Sequence, residues 1–291
     1  MTLTLNPTDP HEVQTKPPRR RRWRLLGGGT VGSALVVLIV LIAVVGPSVA
    51  PYPLDEPIAA PGLPPGAGHL LGTDFLGRDV LSRLLHGGGD LLLLAAASTL
   101  LTYTIGVSLG MLAGLRKSLL DPAIMRSVDV VLSFPPLLLL LVLLGAAGTG
   151  NTVIVIGVVV VVSPGVIRVV RTATLTVAGR GYVEAATARG ESTAAILRRE
   201  VFPSILPVVV ADLGIRFGAS VILIASLNYL GLGAQPPAAN WALMVSENRA
   251  VLSTNPWAML APGLLLGVLT IAINLIGDAY VAHLQRSGAD S

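Results

Sequence analysis

YVEAATARGESTAAILRREVFP, residues 182–203, is a polar stretch set between two long apolar runs. It carries Glu184, Arg189, Glu191, Arg198, Arg199 and Glu200 in a chain that is 53% hydrophobic and only 12% charged. A connection that merely turns a chain between helices needs about 2–8 residues, so a segment of 22 is expected to fold. Residues 184–189 are mostly good helix formers, Gly190 can bend or break a helix, Ser192 or Thr193 can cap another, and Pro203 can stop it. The stretch reads as a short helix, a glycine bend and a second short helix lying along a membrane surface. An ordinary amphipathic interfacial loop has the same composition.

Outward from this segment the apolar residues fall in continuous blocks rather than in alternation. A span needs about 20 predominantly apolar residues, and continuous blocks of that length are helices rather than barrel strands. The fold class is therefore all-α, a polytopic membrane protein. The net charge of +4 belongs to basic residues that flank apolar blocks, and aromatic residues are only 4%, so topology accounts for the charge better than nucleic-acid binding. With no cysteine, disulfides, thiolate metal sites and cysteine nucleophiles are excluded. His11, His69, His86 and His283 lie far apart and form no metal-binding pattern.

Residues 1–24 form a basic tail holding Lys16, Arg19 to Arg22 and Arg24. The apolar run 25–49 after it is too long for a signal-peptide core and reads as a retained first span. Residues 50–90 are rich in proline and glycine. In them Gly72-Thr73-Asp74 and Gly77-Arg78-Asp79 read as turns, and a short interfacial helix follows with Val80, Leu81, Leu84 and Leu85 on one face and Ser82 and Arg83 off it. A solvated turn and a specific contact are both open readings of this segment. Residues 91–283 hold five more spans. The second covers 91–115, and the third about 128–147, introduced by Asp121, Arg126 and Asp129 with Pro135-Pro136 as a kink near its start. The fourth is 151–170, the fifth about 205–231 and the sixth about 257–282, with the connecting segment 172–204 between the fourth and fifth. Residues 232–255 read as a loop.

Six spans with a basic tail on the cytoplasmic side return the carboxyl-terminal residues 284–291 to the same side. Sixteen of the twenty basic residues then fall in cytoplasmic segments; Arg78, Arg83 and Arg249 lie outside them and Arg216 lies within a span. Asp212 and Arg216 stand at i, i+4 inside the fifth span, and Asn274 and Asp278 in the last third of the sixth. Ionisable groups at depth face protein or a water-filled path, so Asp212 and Arg216 are either a self-neutralising structural pair or pathway residues.

Glu184, Ala185 and Ala186, with Gly190 four residues on and Pro203 thirteen beyond that, place this segment in a pattern that resembles the cytoplasmic EAA loop of binding-protein-dependent ABC importer permeases. Glu191 lies inside the same element. Phe202 stands where leucine is usual and Glu200 where an aliphatic residue is usual. Residues 69–87, Asp129 with Ser133-Phe134-Pro135, residues 230–237 and residues 274–278 are similar to landmarks of the peptide branch of that family, which includes dipeptide, oligopeptide and nickel importers. The chain is most similar to the permease subunit with the shorter outer loop. It departs from the branch at Ser163, where tryptophan is common, at Thr187, and at Asp278-Ala279-Tyr280.

The resemblance implies a type I permease fold in a prokaryotic cell membrane. It implies partners as well: a homologous second permease subunit, two ATPase subunits and an extracytoplasmic solute-binding protein, with the lipid bilayer around it and no nucleic acid. ATP and Mg would be bound by the ATPase subunits, so this chain is expected to bind no cofactor. Its own residues agree, since Lys117-Ser118 is preceded by Met111 and Arg116 where a Walker motif needs glycine. An intramembrane enzyme would need a nucleophile with a base, or metal ligands, in the spans. A secondary transporter or channel would rest on Asp212 and Arg216 and is expected to show an internal repeat, which this sequence lacks.

Overall fold

Backbone that enters hydrocarbon must satisfy its own hydrogen bonds, and this chain does so with helices. The computed structural model describes residues 19–66, 68–115 and 120–287; the remaining tail residues and the basic pair Arg116-Lys117 lie outside the described residues. The long elements are α1 (Arg19–Val49), α3 (Gly89–Leu115), α6 (Asn151–Ala178), α9 (Phe202–Tyr229) and α11 (Trp257–Ser287). Between them lie α2 (Val80–His86), α4 (Leu120–Leu132), α5 (Pro136–Ala147), α7 (Gly181–Ala188), α8 (Thr193–Ile196) and α10 (Trp241–Glu247). Five stretches, 28–49, 80–115, 151–178, 193–229 and 257–280, are long and apolar enough to cross a bilayer, and α4 with α5 makes a sixth passage if the pair is one span. The all-α, six-span expectation agrees with this arrangement.

Three sequence readings need correction. The third span is not one kinked helix over 128–147: α4 and α5 meet at 93°, because Pro135 and Pro136 bring no N–H and Pro135 is extended. The loop 232–255 contains α10 and a 3₁₀ turn at Asn248–Val251, started by Asn240, whose Oδ1 accepts from the N–H groups of Ala242 and Leu243. The reading of the interfacial helix α2 holds only in part: Val80 is buried and Leu84 packs on the core as expected, but Ser82 and Arg83 are buried too, while Leu81, Leu84 and Leu85 are half-buried.

The tightest helix contact joins α3 to α6. Gly106, Gly110 and Gly114 recur every fourth residue on α3 and lie against Val166, Val170 and Thr174, which recur every fourth residue on α6. A Cβ on Gly110 would sit 2.8 Å from the Cβ of Val170, so the absent side chains are what lets the two backbones approach. The apolar interior falls into two clusters. One, at the α10 end, gathers Ile39, Leu91, Leu140, Leu144, Trp241 and Leu269 among others. The second, at the α7 end, gathers Val107, Val166, Val170, Val183, Ile196 and Ile205.

Between them α3 and α9 meet through polar groups: Thr99 Oγ1 lies 3.4 Å from Ser220 Oγ, and Tyr103 Oη donates to Asp212 at 2.8 Å. Replacing Gly110 by Leu is expected to lower the thermal midpoint of the detergent-solubilised protein by an amount corresponding to about 1–3 kcal/mol of overpacking, with Gly110→Ala intermediate. A scanning-fluorimetry comparison of the two variants with the parent checks this.

Candidate functional site

The segment 181–203 becomes a pair of helices because its backbone caps are local. Arg180 is extended and α7 follows with Val183 and Ala186 turned inward, both buried. Glu184, Ala185, Ala188 and Arg189 stay exposed on the other side. The helix ends in a Schellman motif: the N–H of Gly190 donates to Thr187 O at 3.0 Å and that of Glu191 to Ala186 O at 3.2 Å. This closure requires positive φ at Gly190, which is +77°. A Cβ there would meet nothing within 4 Å, so any substitution is opposed by backbone conformation alone. Arg189 and Glu191 pair across the bend at 2.6 Å, both in contact with solvent.

Ser192 then caps α8, its Oγ accepting from Ala195 N–H at 3.3 Å. The second helix is not stopped at Pro203, as the sequence suggested. It passes through a π turn at Leu197–Val201, closed by Phe202 N–H donating to Leu197 O, straight into α9 with Pro203 in the first turn. Proline's missing N–H falls where the hydrogen-bond register changes from i+5 to i+4, so it breaks no continuing ladder. Ser204 Oγ donates to Glu200 O at 2.7 Å, so Tyr182 Oη is the donor in its 2.9 Å contact with Ser204 and ties the start of α7 to the start of α9.

Val183, Ala186, Ile196, Leu197 and Val201 belong to the same buried cluster as Val166, Val170 and Ile205 of the spans. The outward face therefore stands on a rigid base. Phe202, at 36% exposed, is part of that face. A groove lined by Leu115, Leu175, Val183, Glu184 and Thr187 runs beside it. The segment therefore presents an exposed, largely polar face on a buried apolar base.

At the opposite end, the outer landmarks are interior rather than solvated. Gly72 and Gly77 have φ of +72° and +79° and form the predicted turns, and Thr73, Asp74, Arg78 and Asp79 are almost fully buried. Asp74 Oδ1 accepts from the backbone N–H of Leu76 and Arg78, and its Oδ2 from Arg78 Nε at 2.6 Å. Arg83 Nε lies 3.4 Å from the same carboxylate, and Arg83 Nη2 reaches Glu247 Oε2 at 3.2 Å. Asp79 caps α2 through Ser82 and holds His69 Nδ1 at 3.2 Å. Burial pushes the Glu247 carboxyl above its usual range, against the pull of Arg83 and Arg78.

Asn248 and Asn255 hydrogen-bond to the backbone of residues 71, 73 and 75, and Trp241 Nε1 donates to Leu84 O at 2.7 Å. Glu247, Asn248, Asn255 and Trp241 were not singled out as site residues, because their partners lie more than 150 positions away. On the other side, the GTDFLGRD string reads from sequence only as two turns, and nothing local marks its charges as buried.

Within the spans, Arg216 Nε contacts Asp212 at 3.2 Å, and the guanidinium lies against the backbone of α6 at Gly165, where an added Cβ would come within 2.5 Å of Nη1. Tyr103 and Gly165 are the further neighbours of this half-buried pair, which spacing alone could not reveal. Asn274 donates back to Thr270 O on its own helix and Asp278 is exposed; among the described residues neither is joined to Asp212 or Arg216. Ser163 lines a cavity of ≈ 290 Å³ with Ser127, Val128 and Pro164, the space that a larger side chain there would enter. Two ion pairs lie between α4 and α6: the bidentate, partly buried pair of Arg171 with Asp121 clamps the helices, and the exposed pair of Arg168 with Asp129 adds a single hydrogen bond of 2.6 Å.

Residues 106–287 match the family described as binding-protein-dependent transport system inner membrane component. The chain is 35% identical over 258 residues to the di/tripeptide transport system permease protein DppC of Pseudomonas aeruginosa, covering 86% of this chain and 85% of that one. It is 34% identical over 272 residues to the glutathione transport system permease protein GsiD of Pectobacterium atrosepticum, covering 92% and 90%. Among solved structures it resembles a chain of the inward-facing MetNI methionine ABC transporter, with TM-score 0.56 and 22% identity over 67% of this chain and 93% of that chain.

Removing one member of a buried charge cluster leaves the others uncompensated, which costs about 3–5 kcal/mol. Asp74→Ala is therefore expected to destabilise the solubilised protein severely, whereas Glu56→Ala, at an exposed position, leaves its thermal midpoint unchanged.

Proposed function

Because the chain belongs to the family of binding-protein-dependent transport system inner membrane components, we propose that it forms one transmembrane half of an ATP-driven importer for di- or oligopeptides. It has the fold of a type I ABC importer permease and is a multi-pass membrane protein. In this reading both termini are cytoplasmic, which the distribution of basic residues supports. α7 and α8 then face the cytoplasm, and the buried ionic cluster braces the extracytoplasmic cap. A homologous permease subunit completes the pathway, a solute-binding protein delivers substrate at the α10 end, and two ATPase subunits dock at the α7 end. ATP and Mg are held by those subunits, and this chain is non-catalytic.

The observation that carries the reading is the shared core beneath the exposed knob. Val183, Ala186 and Ile196 are packed with Val166, Val170 and Ile205, so displacement of α7 by a moving partner is passed to the spans as rigid-body motion. Glu184, Ala185, Gly190, Glu191, Phe202 and the exposed Pro203 form or shape the outward face, and the buried Ala186 belongs to its base. The peptide assignment draws on relatives named for di/tripeptide and glutathione transport. A secondary transporter or channel working through Asp212 and Arg216 is the weaker reading, because that pair is closed upon itself and Tyr103.

In the assembled transporter, Gly190→Val is expected to abolish uptake and substrate-stimulated ATP hydrolysis while the protein still reaches the membrane; normal uptake would sink the coupling role. The purified chain alone should hydrolyse no ATP in a phosphate-release assay, and it should gain none on addition of solute-binding protein.

A further inference from the structure

Taken as one span, α4 and α5 are interrupted part-way across the membrane by their 93° break. α5 and α6 are joined by residues 148–150, so that turn marks one face, and the twelve residues of α5 carry the chain back from it by about 18 Å, roughly the middle of a bilayer. At the break Ser133, Phe134, Pro135 and Pro136 are all exposed, and the carbonyls of Ser133 and Phe134 receive no backbone N–H. Irregular backbone at this depth is tolerated only where protein covers it or water reaches it.

One turn before Ser133 stands Asp129, paired with Arg168 by a single hydrogen bond between Nη2 and Oδ1, with side chains 61% and 52% exposed. The neighbouring pair, Arg171 with Asp121, is bidentate and far less exposed, which suffices to clamp α4 to α6. From Arg168, Thr172 and Thr176 follow at one-turn intervals along an exposed groove toward the α7 end. Their hydroxyls donate to the carbonyls of Arg168 and Thr172 and keep lone pairs free to accept.

From this juxtaposition we infer that Asp129 and Arg168 form a transient binding site in the translocation path for the two charged ends of a peptide, the carboxylate taking the ammonium group and the guanidinium the carboxylate. This rests on the peptide-importer reading above. An exposed pair held by one hydrogen bond is weak, so substrate can replace each partner by its own opposite charge. The exchange replaces one internal ion pair by two to the substrate, and because both are solvent-exposed and individually weak, binding stays shallow enough for release. An extended dipeptide is about 7 Å long, within the swing of an arginine side chain away from its partner. The hydroxyls of Thr172 and Thr176 continue the polar wall toward the exit.

The test uses the complete transporter, with both permease subunits, ATPases and binding protein, in proteoliposomes. Peptide uptake by the parent transporter tests the substrate reading, and the variants test this inference. Arg168→Gln and Asp129→Asn are each expected to reduce uptake about tenfold, the loss of one charge-assisted bond. The charge-swapped double variant, Asp129→Arg with Arg168→Asp, should restore the yield of folded protein but not uptake, because it inverts the polarity that meets the peptide. Full uptake by the swapped variant would mean a structural brace and overturn the site. The chain has no cysteine, so Ser133→Cys and Thr176→Cys give a second readout: a hydrophilic thiol reagent should label both, more slowly during peptide turnover. Absence of labelling in every nucleotide state would place this face under protein or lipid and refute the proposal.

Discussion

Everything else in this molecule is hung on the close approach of α3 and α6. Hydrocarbon tails are as apolar as leucine, so no hydrophobic force drives two helices together inside a bilayer; contact must come from packing. Gly106, Gly110 and Gly114 provide it by removing side chains where Val166, Val170 and Thr174 advance. With α6 fixed, its Arg171 holds α4, its Gly165 gives Arg216 a place to lie, and its carboxyl-terminal half forms the base on which α7 sits.

The distribution of charge follows from the same solvent. A charge in or near hydrocarbon is tolerated when it is paired or wet, and the four basic residues that escape the cytoplasmic count are all engaged. Arg78 and Arg83 are shared between Asp74 and Glu247, Arg216 is bound to Asp212, and Arg249 stacks 4.2 Å over the ring of Tyr229. The α10 end is thus held by buried ionic groups between residues 74–83 and 237–247, beside the apolar cluster that contains Val80, Trp241 and Met244. The two ends of the protein differ accordingly. One is locked by a polar network, whereas the other presents an exposed surface on an apolar base.

Where sequence reasoning stopped is equally physical. Spans, orientation and the EAA-like segment rest on local properties: run length, flanking charge, and the caps supplied by Gly190 and Ser192. The π turn at Leu197–Val201, which lets a proline-bearing helix run on, depends on hydrogen-bond register and has no compositional mark. The Gly106, Gly110, Gly114 repeat was present in the string, but its meaning requires knowing which helix it faces.

The amino-acid sequence by itself determined that this is an all-α membrane protein of six passages with a folded polar element between the last two pairs of spans, because hydropathy and capping act over a few turns of one chain segment. Only the tertiary structure decided that Ser82 and Arg83 point inward, that Glu247 completes the cluster begun by Asp74, that Asp212 is held by Tyr103, and that Asp129 on α4 pairs with Arg168 on α6. Those outcomes turn on partners more than thirty residues apart, and which charge meets which is settled by how helices pack.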